Sequence, residues 1–376
     1  MTISYVMALL SFLFLSASSF TQSEQPASSK VVNSFDAFEN NGKLDTVHKM
    51  RRVFERDTQL RQITIANTAQ LELALRHNLD YVRRKGTAIA SSRNGIRYSY
   101  SDVRKINEQL QRHASDTLDV SSFRLEKIWG GDQMGNVLFT SYYLPIVDVR
   151  REKDSIYKYP IYKKPPSSYL QGLSRAQIDE QLKLSGRNLE IAYAKNYFDV
   201  YSMQVQGSGY VEFEDGSKKL FSYGGKNNRS YKSIGKYMID AGHISKAEIS
   251  MQSIRAWFDT YPDSLSLLMK NASYVFFKES EKEPSGAAGV PLIDFVSIAS
   301  DLSYLPKGAI LLGEIPVLDS EGVFMHHEYR ILMVHDTGGA IKGSGRVDLY
   351  AGVGIDAGEY AGRMKHYGRL WLILPK

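Results

Sequence analysis

The feature that most limits the possible folds is a series of short apolar runs, separated by turns, in the last quarter of the chain. The runs are rich in Val, Ile, Leu and Tyr, and they lie at residues 290–297, 308–318, 330–335 and 369–374. Several short runs of this kind between glycine-containing turns are typical of β-strands and favour a small barrel. The sequence therefore predicts an all-β barrel for this part of the chain.

The rest of the chain alternates helical and extended patterns. Apolar residues at helical spacing predict helices over residues 71–85, 99–114, 231–240 and 250–259. Runs of β-branched and aromatic residues predict strands over 137–143, 193–221 and 273–277. Pro145 ends the first of these strands, and Asp215-Gly216 supplies a hairpin turn within the second. The predicted fold class is therefore mainly β with helices.

The first residues of the chain have the pattern of an export signal. Residues 3–15 are apolar but fall short of the roughly 20 residues that a membrane-spanning helix needs, and the small residues 16–19 follow. We therefore predict a signal peptide over 1–19, with a leader rich in Ser, Gln and Asn at 21–41. No Lys or Arg precedes the apolar run, so an uncleaved interfacial anchor is the alternative. Either arrangement predicts a protein of the periplasm or of the outer-membrane periphery.

The composition excludes several classes of protein. The 376 residues include no cysteine, which excludes disulfide scaffolds, Cys-ligated zinc, iron–sulfur clusters, thiol catalysis and a cysteine-linked lipid anchor. The 47 Lys and Arg against 41 Asp and Glu give a net charge of +6. This mild excess suits an acidic polymer but falls short of the charge that nucleic-acid binding requires. We predict no nucleic-acid partner.

Three aspartates in the last quarter are the candidates for chemistry. Asp348 lies inside an apolar run, where partial burial would raise its pKa toward the value that a general acid needs near neutral pH. Asp336 ends the apolar run 330–335, and Asp301 precedes a turn. For Asp301 and Asp336, capping of a turn is an equally good interpretation of the sequence alone.

Other motifs point to neither a cofactor nor a metal. The glycines that follow Asp336 match no dinucleotide-binding or Walker A spacing. Ser208 lies in Gly-Ser-Gly, which is not the nucleophile elbow of a serine hydrolase. His326 and His327 are adjacent and belong to no H-E-x-x-H motif, so they are interpreted as surface or turn residues. We therefore predict no cofactor and no metal site.

Several ordered motifs between residues 137 and 374 resemble one known family. The matching stretches are Phe-Thr-Ser-Tyr-Tyr-Leu-Pro at 139–145, Tyr-Pro-Ile-Tyr at 159–162, Val-Gln-Gly-Ser-Gly-Tyr at 205–210, Tyr-Lys-Ser-Ile-Gly at 231–235, Ser-Met-Gln-Ser-Ile-Arg at 250–255, Ser-Tyr-Val-Phe-Phe-Lys at 273–278 and Asp-Thr-Gly-Gly-Ala-Ile-Lys-Gly at 336–343. Together they resemble the lytic murein transglycosylase A (MltA) family, whose C-terminal 3D domain takes its name from three aspartates.

The resemblance implies an architecture. MltA-like proteins have a double-psi β-barrel domain built from both ends of the chain, a smaller inserted β-rich domain, and a groove between the two that holds the glycan. Carried over, the barrel domain with its N-terminal helices spans 20–146 and 276–376, and the insert spans 147–275.

The resemblance also implies a reaction on peptidoglycan glycan strands, without a cofactor. The β-1,4 bond between N-acetylmuramic acid and N-acetylglucosamine is cleaved by attack of the muramoyl C6 hydroxyl, which leaves a 1,6-anhydro end. The catalytic residue falls on Asp348, with Asp336 and Asp301 in supporting roles. The residues expected to line the groove are Tyr142, Gln206, Ser208, Gly338, Gly339 and Lys342. Other cell-wall enzymes are candidate partners, and a monomer is expected.

Two alternatives to this reaction stay open at the level of sequence. An inverting hydrolase would need a second carboxylate, such as Asp336 or Asp356, about 6.5–9.5 Å from Asp348. A non-catalytic peptidoglycan-binding protein would place Asp348 in a salt bridge without a raised pKa. The chain also departs from the family, with Ser141 where Gly is usual, Leu144 where a polar residue is common, and no lipidation cysteine.

Overall fold

A computed structural model describes residues 53–113, 115–130, 135–246 and 248–376. The predicted signal peptide and leader lie outside these residues. Within these ranges, no helix combines the length and the apolar character that crossing a membrane requires. The fold is mixed and mostly strand, which confirms the predicted fold class.

Strands dominate the described chain. In chain order they are β1 Phe54–Asp57, β2 Gln62–Thr64, β3 Ile89–Ser91, β4 Tyr98–Ser99, β5 Thr117–Asp119, β6 Phe123–Ile128, β7 Val137–Leu144, β8 Ile146–Arg150, β9 Tyr159–Tyr162, β10 Glu190–Ala194, β11 Gly209–Glu212, β12 Lys218–Lys226, β13 Val275–Ser280, β14 Ser297–Ala299, β15 Ile310–Leu318, β16 Phe324–Asp336, β17 Arg346–Val353 and β18 Lys365–Pro375.

The helices are short apart from the first two. They are α1 Thr68–Lys85, α2 Tyr100–Gln111, α3 Ser168–Gln171, α4 Arg175–Asp179, α5 Tyr197–Gln206, α6 Ile234–Asp240, α7 Met251–Thr260 and α8 Ile355–Arg363, with 3₁₀ segments at Val120–Ser122 and Pro262–Lys270. Ser99 caps α2 through a reciprocal capping box with Asp102, which explains why this helix begins where it does.

Two large sheets organise most of these strands, and the pairs β2-β5 and β3-β4 form two separate two-stranded sheets. An eight-stranded sheet has the order β1-β6-β18-β15-β16-β14-β17-β7, with β18 also paired to β7. A six-stranded sheet has the order β13-β12-β11-β8-β10-β9. The first sheet takes strands from both ends of the described chain, and the second takes strands from its middle. The domain boundaries inferred from the resemblance, after residues 146 and 275, stay a prediction.

Alternation along β17 separates the two faces of the large sheet. Val347 and Leu349 are fully buried in the main apolar core. Arg346, Asp348 and Tyr350 therefore project from the opposite face, because successive side chains of a strand point to opposite sides. The carboxyl group of Asp348, the candidate catalytic residue, thus lies on the face of the large sheet opposite the main apolar core.

One predicted strand is in part a helix. Within the region predicted as strands over 193–221, residues 197–206 form α5, which begins at the cap Asn196 and ends at Gly207 in the left-handed conformation. Tyr197, Phe198 and Tyr201 are buried on this helix, so packing on several sides outweighs the strand preference of its aromatic and β-branched residues. The predicted hairpin turn at 215–216 does join β11 to β12.

A second predicted strand is longer than the strand that forms. Residues 290–297 were predicted as a strand, but only Ser297–Ala299 enters the sheet as β14. The preceding residues form a turn in which the Ile293 N–H donates to the Ser297 hydroxyl at 2.8 Å. The apolar side chains of this stretch pack into the main core although most of its residues lie outside the named strands, and a pattern of hydrophobicity does not distinguish this arrangement from a strand.

Gly368 provides a test of the strand packing around β7. A Cβ atom at this position would lie 2.2 Å from the backbone oxygen of Glu314 and 2.9 Å from the ring of Phe139. We expect Gly368→Ala to lower the free energy of unfolding by about 1–3 kcal/mol, because neither the strand backbone nor the buried ring can yield freely. Urea unfolding measures this loss. Gly339→Ala is the control, since a Cβ there meets nothing within 4 Å, and equal losses in both variants would contradict the packing argument.

Candidate active site

Five residues form one row across neighbouring strands of the large sheet. Ala299 of β14 pairs with Asp336 of β16 on one side and with Asp348 of β17 on the other. Asp348 pairs with Thr140 of β7, and Thr140 pairs with Lys365 of β18. Paired residues share a face of the sheet, so these side chains project together. Two strand spacings, roughly 10 Å, separate the backbones of the two aspartates.

Asp348 is held through one oxygen. Its Oδ1 accepts a short hydrogen bond from the Thr140 hydroxyl and a charge-assisted bond from Arg346 Nη2 at 3.1 Å. Arg346 Nε also donates to the Thr140 hydroxyl oxygen at 3.1 Å, which closes a triangle of contacts. Among the described residues, every hydrogen bond to this carboxyl group falls on Oδ1. Oδ2 is therefore available to a ligand, and the side chain remains 16% exposed.

The groups around Asp348 shift its pKa in opposite directions. Burial raises the pKa of this carboxyl group above its usual value, and the nearby charge of Asp336 adds to the increase. The charge and hydrogen bond of Arg346 act the other way, but the net pKa is raised. Asp348 thus combines the salt bridge expected of a binding protein with the raised pKa expected of a general acid.

Asp336 differs from Asp348 in that both of its carboxylate oxygens accept hydrogen bonds from the described residues. Its Oδ1 accepts the backbone N–H groups of Ala287 at 2.9 Å and Thr337 at 2.8 Å, and its Oδ2 accepts the Tyr142 hydroxyl at 3.2 Å. Burial nevertheless raises the pKa of Asp336. Burial and the charge of Asp336 also raise the pKa of Tyr142, so the phenol stays protonated and donates. Tyr142 thereby links β7 to β16 above the row.

Asp301 ties the glycine-rich loop to the end of β14. Its Oδ1 accepts from the N–H and hydroxyl of Ser303, and its Oδ2 accepts the Gly343 N–H at 2.9 Å. Although burial acts to raise the pKa of Asp301, these hydrogen bonds outweigh it and lower the pKa below its usual value. An ionised Asp301 thus holds the end of the 338–343 loop.

The structure brings some predicted lining residues to the row and leaves others at its margin. Gln206 accepts the Tyr143 N–H at 3.3 Å, directly beside Tyr142. Ser208 instead accepts the N–H of Tyr223 on β12 at 3.3 Å. Lys342, Gly338 and Gly339 lie in the loop after β16, where Lys342 is exposed and its charge acts on Asp301.

Three further residues at this site were not predicted. Thr140 and Arg346 hold the carboxyl group of Asp348, and the charges of Arg346 and Asp348 both act on Tyr231, a 39% exposed residue before α6. Alternation along β17 could have identified Arg346, because it lies two residues before Asp348. No sequence pattern identifies the contacts of Thr140 or Tyr231, since both are made between distant parts of the chain.

The structure also locates the two histidines that were interpreted as surface or turn residues. His327 Nε2 lies 3.1 Å from the backbone oxygen of Tyr367, and His326 is exposed on β16. The residues that the structure describes include no group of three or more metal-ligating side chains arranged around a common point.

Comparison with protein families gives two matches. Residues 138–278 match the family described as the MltA specific insert domain, and residues 296–374 match the 3D domain. The second match contains all three aspartates of the sequence analysis.

Individual relatives agree with the family matches. The chain is 41% identical over 278 residues to the membrane-bound lytic murein transglycosylase A of Vibrio cholerae, covering 71% of this chain and 75% of that protein. It is also 41% identical over 280 residues to the Escherichia coli protein of the same name, covering 73% and 76%. The crystal structure of E. coli MltA with bound chitohexaose matches with a TM-score of 0.73 and 33% identity, covering 89% of this chain and 98% of that one.

Proposed function

The chain belongs to the family of membrane-bound lytic murein transglycosylase A, and on that premise we propose that it is a peptidoglycan lytic transglycosylase. The bond cleaved is the β-1,4 linkage between N-acetylmuramic acid and N-acetylglucosamine, and the product carries a 1,6-anhydromuramoyl end. The observation that carries the proposal is the Asp348 carboxyl group, which has a raised pKa, one oxygen fixed by Thr140 and Arg346, and the other oxygen available.

In the first step, Asp348 acts as the general acid. Because Oδ1 is occupied by hydrogen-bond donors, the proton of the neutral carboxyl group resides on Oδ2, the oxygen that we propose meets the glycan. This proton passes to the glycosidic oxygen as the bond to the muramoyl C1 breaks, so the N-acetylglucosamine side leaves as an alcohol. The muramoyl C1 then carries the positive charge of an oxocarbenium-like state.

In the second step, the same carboxylate acts as the base. Asp348 removes the proton of the muramoyl C6 hydroxyl while that oxygen attacks C1, which closes the 1,6-anhydro ring and restores the neutral acid. No water is consumed. Arg346 stabilises the carboxylate between the two steps, because its hydrogen bond and charge favour the ionised form.

The contacts of Asp336 favour one catalytic carboxyl group over two. A hydrolase would need a second carboxylate with a free oxygen to activate water. Both oxygens of Asp336 already accept hydrogen bonds, from two backbone N–H groups and from Tyr142. Asp356, the other candidate, lies exposed on α8 in a surface hollow lined also by Glu359 and Arg363. Asp336 is therefore assigned to support, together with Asp301.

The glycan strand is proposed to cross the row beside Asp348. Bound chitohexaose in the related E. coli structure supports a ligand of this class. Tyr142, Gln206 and the loop that contains Gly338, Gly339 and Lys342 are proposed to line its path, while Ser208 lies farther along, beside β12. Peptidoglycan as substrate also places the protein in the cell envelope, as the membrane-bound relatives suggest.

Product mass tests this proposal directly. Purified peptidoglycan is digested with the protein, and the soluble muropeptides are separated and weighed. Transglycosylation gives products one water lighter than hydrolysed muropeptides and without a reducing end. Reducing products would instead establish a hydrolase, and binding without any product would establish a non-catalytic protein.

Arg346 offers a test through the pH dependence. Arg346 holds the pKa of Asp348 below the value that burial alone would give, so Arg346→Gln should raise that pKa further. The acid form then persists to higher pH, and the alkaline limb of the kcat/KM profile should move upward by about one pH unit. Arg363→Gln, which removes an exposed partner of Glu359 on α8, is the control and should leave the limb in place. An unmoved or downward-shifted limb for Arg346→Gln would contradict the assigned role.

A further inference from the structure

A short segment after α1 carries positive charges and no negative ones. Between Val82 and Ser101 the sequence contains five cations and no carboxylate. Three of these cations end α1, and the other two lie in the loop that joins β3 to β4. All five side chains are exposed, and they are Arg83, Arg84, Lys85, Arg93 and Arg97. Residues 83–97 are called the basic hairpin below.

The protein does not neutralise these charges within the part of the chain that the structure describes. There, no carboxylate forms an ion pair with any of the five cations. Asp80 and Asp102 are the nearest carboxylates along the sequence, and Asp102 is engaged in the capping box of α2. Arg84 and Lys85 lie instead 5.9 and 5.3 Å from the centre of the Tyr81 ring. The resulting positive potential attracts an anionic partner.

The geometry of the hairpin limits the kind of partner. β3 and β4 form a two-stranded sheet of their own, outside the two large sheets. A Cβ atom at Gly86, in the turn before β3, or at Gly95, in the loop after it, would meet no atom within 4 Å. Both turns are therefore open to solvent. A site that protrudes in this way cannot enclose a ligand as a pocket does, but it can rest against an extended surface.

An apolar side chain accompanies the cations. Ile89 on β3 is 48% exposed. It pairs with Ser99, which faces away from the buried Tyr98. Arg97 lies two residues before Ser99, so it shares that face with Ile89. Exposed apolar and basic side chains side by side suit a lipid surface, because the apolar group enters the interface while the cations stay among the headgroups.

We propose that the basic hairpin binds the surface of a membrane that contains anionic phospholipids. Four of its five cations are arginines, whose guanidinium groups form paired hydrogen bonds with phosphate oxygens. Each basic residue close to such a surface strengthens binding about fivefold. Attachment of this kind would hold the enzyme beside a membrane in a reversible, salt-sensitive way. The inference goes beyond the proposed function and does not depend on it.

Co-sedimentation with lipid vesicles tests the proposal. The full chain is mixed with vesicles of phosphatidylcholine, or with vesicles in which about a third of this lipid is replaced by phosphatidylglycerol, and the ratio of the two partition coefficients is measured. The apolar run at residues 3–15 is uncharged, so it contributes equally to both. Replacing Arg83, Arg84 and Lys85 together by Gln should lower the ratio about 100-fold. The ratio for the unsubstituted protein should fall as salt is added.

The loop and the apolar side chain are tested separately. Arg93→Gln combined with Arg97→Gln should lower the same ratio about 20-fold, because two cations are lost. Ile89→Ser should weaken binding to the anionic vesicles roughly threefold, since less apolar surface leaves water. It should not change the salt dependence, because no charge is removed.

A triple variant with the same change in net charge is the matched control. Lys218, Lys236 and Arg363 are exposed cations outside the basic hairpin, and each lies beside a carboxylate. Replacing these three by Gln should leave the ratio nearly unchanged. An equal loss in this control would show that only the net charge of the protein matters, and it would overturn the inference.

Two other results would also overturn it. The first is an equal affinity of the unsubstituted protein for both kinds of vesicle. The second is that substitution of the basic hairpin weakens binding to isolated murein sacculi but not to vesicles, measured with Asp348→Asn so that the murein stays intact. The hairpin would then bind the polymer. Cleavage of soluble murein fragments should be unchanged in all the hairpin variants, and a failure of the proposed function would leave the vesicle measurement valid.

Discussion

Asp348→Asn should lower the rate of peptidoglycan cleavage by at least about 10³-fold, since general acid–base catalysis typically contributes 10²–10⁴-fold and here one group performs both proton transfers. The amide is nearly isosteric with the carboxyl group, and its oxygen can still accept from Thr140 and Arg346. The geometry should therefore survive while the transferable proton is lost. Release of anhydromuropeptides, followed by mass spectrometry over a time course, measures the effect.

The matched control for this prediction is Asp356→Asn. Asp356 is an exposed carboxylate of the same part of the chain and the alternative partner that an inverting hydrolase would use. We expect it to retain nearly full activity. Anhydro products formed at an undiminished rate by Asp348→Asn would show that another group carries the proton. A large loss in both variants, with reducing ends among the wild-type products, would show a two-carboxylate hydrolase.

The partial burial of Asp348 could be predicted because the pattern that indicates it involves only neighbouring residues of the sequence. A carboxylate inside an apolar strand pattern predicts partial burial, and alternation along β17 places Asp348 opposite the core residues Val347 and Leu349. The row itself was not predictable from these patterns. It depends on the pairing of β16, β14, β17 and β7, which are not consecutive in the chain, and on the register of each pair. The hydrogen bond of Thr140 to Asp348 follows only from that register.

The same difference between local patterns and contacts of distant residues explains why helix α5 was predicted as a strand. Most of its residues have a strand preference, and the local helix signals, Asn196 and Gly207, mark only its two ends. The helix forms because Tyr197, Phe198 and Tyr201 pack into a cluster with residues from α6 and α7 that lie 30 or more positions later in the chain. Preference for a strand is worth about 1 kcal/mol or less per residue, whereas burial of one large aromatic side chain contributes about 1.5–3 kcal/mol. Tertiary packing therefore decides the local structure.

The largest effect on stability is expected at Arg175, which is buried near α5. Its guanidinium group donates to the backbone oxygens of Asn271 and Ser273 at 3.0 and 2.7 Å and lies 3.5 Å from the carboxylate of Asp179. Asp179 also accepts the Tyr197 hydroxyl at 2.5 Å. The exposed fractions of the Arg175 and Asp179 side chains are 1% and 8%. One cation therefore joins α4 to the strand entry at Ser273.

Arg175→Met should lower the free energy of unfolding by about 3–5 kcal/mol, the usual cost of leaving one member of a buried ion pair without its partner. The loss should depend on pH. Burial raises the pKa of Asp179 to about 6 in the folded protein, and removal of Arg175 takes away an interaction that opposes this increase. An acid whose folded pKa exceeds its unfolded pKa loses stability as pH rises between the two values. The destabilisation should therefore be larger at pH 8 than at pH 5.

Urea unfolding measures these values. It is followed through the fluorescence of Trp257, which packs against the apolar cluster formed by α5, α6 and α7. Arg175→Met combined with Asp179→Asn is the decisive control, because the second change removes the charge that the first leaves unpaired. The double variant should be more stable at pH 8 than Arg175→Met alone, and its own free energy of unfolding should lose the pH dependence that Asp179 contributes. If the two changes are simply additive, or if Arg175→Met costs the same at pH 5 and pH 8, the loss comes from the missing backbone hydrogen bonds. The ion pair, whose two members both lie on α4, would then contribute little to stability.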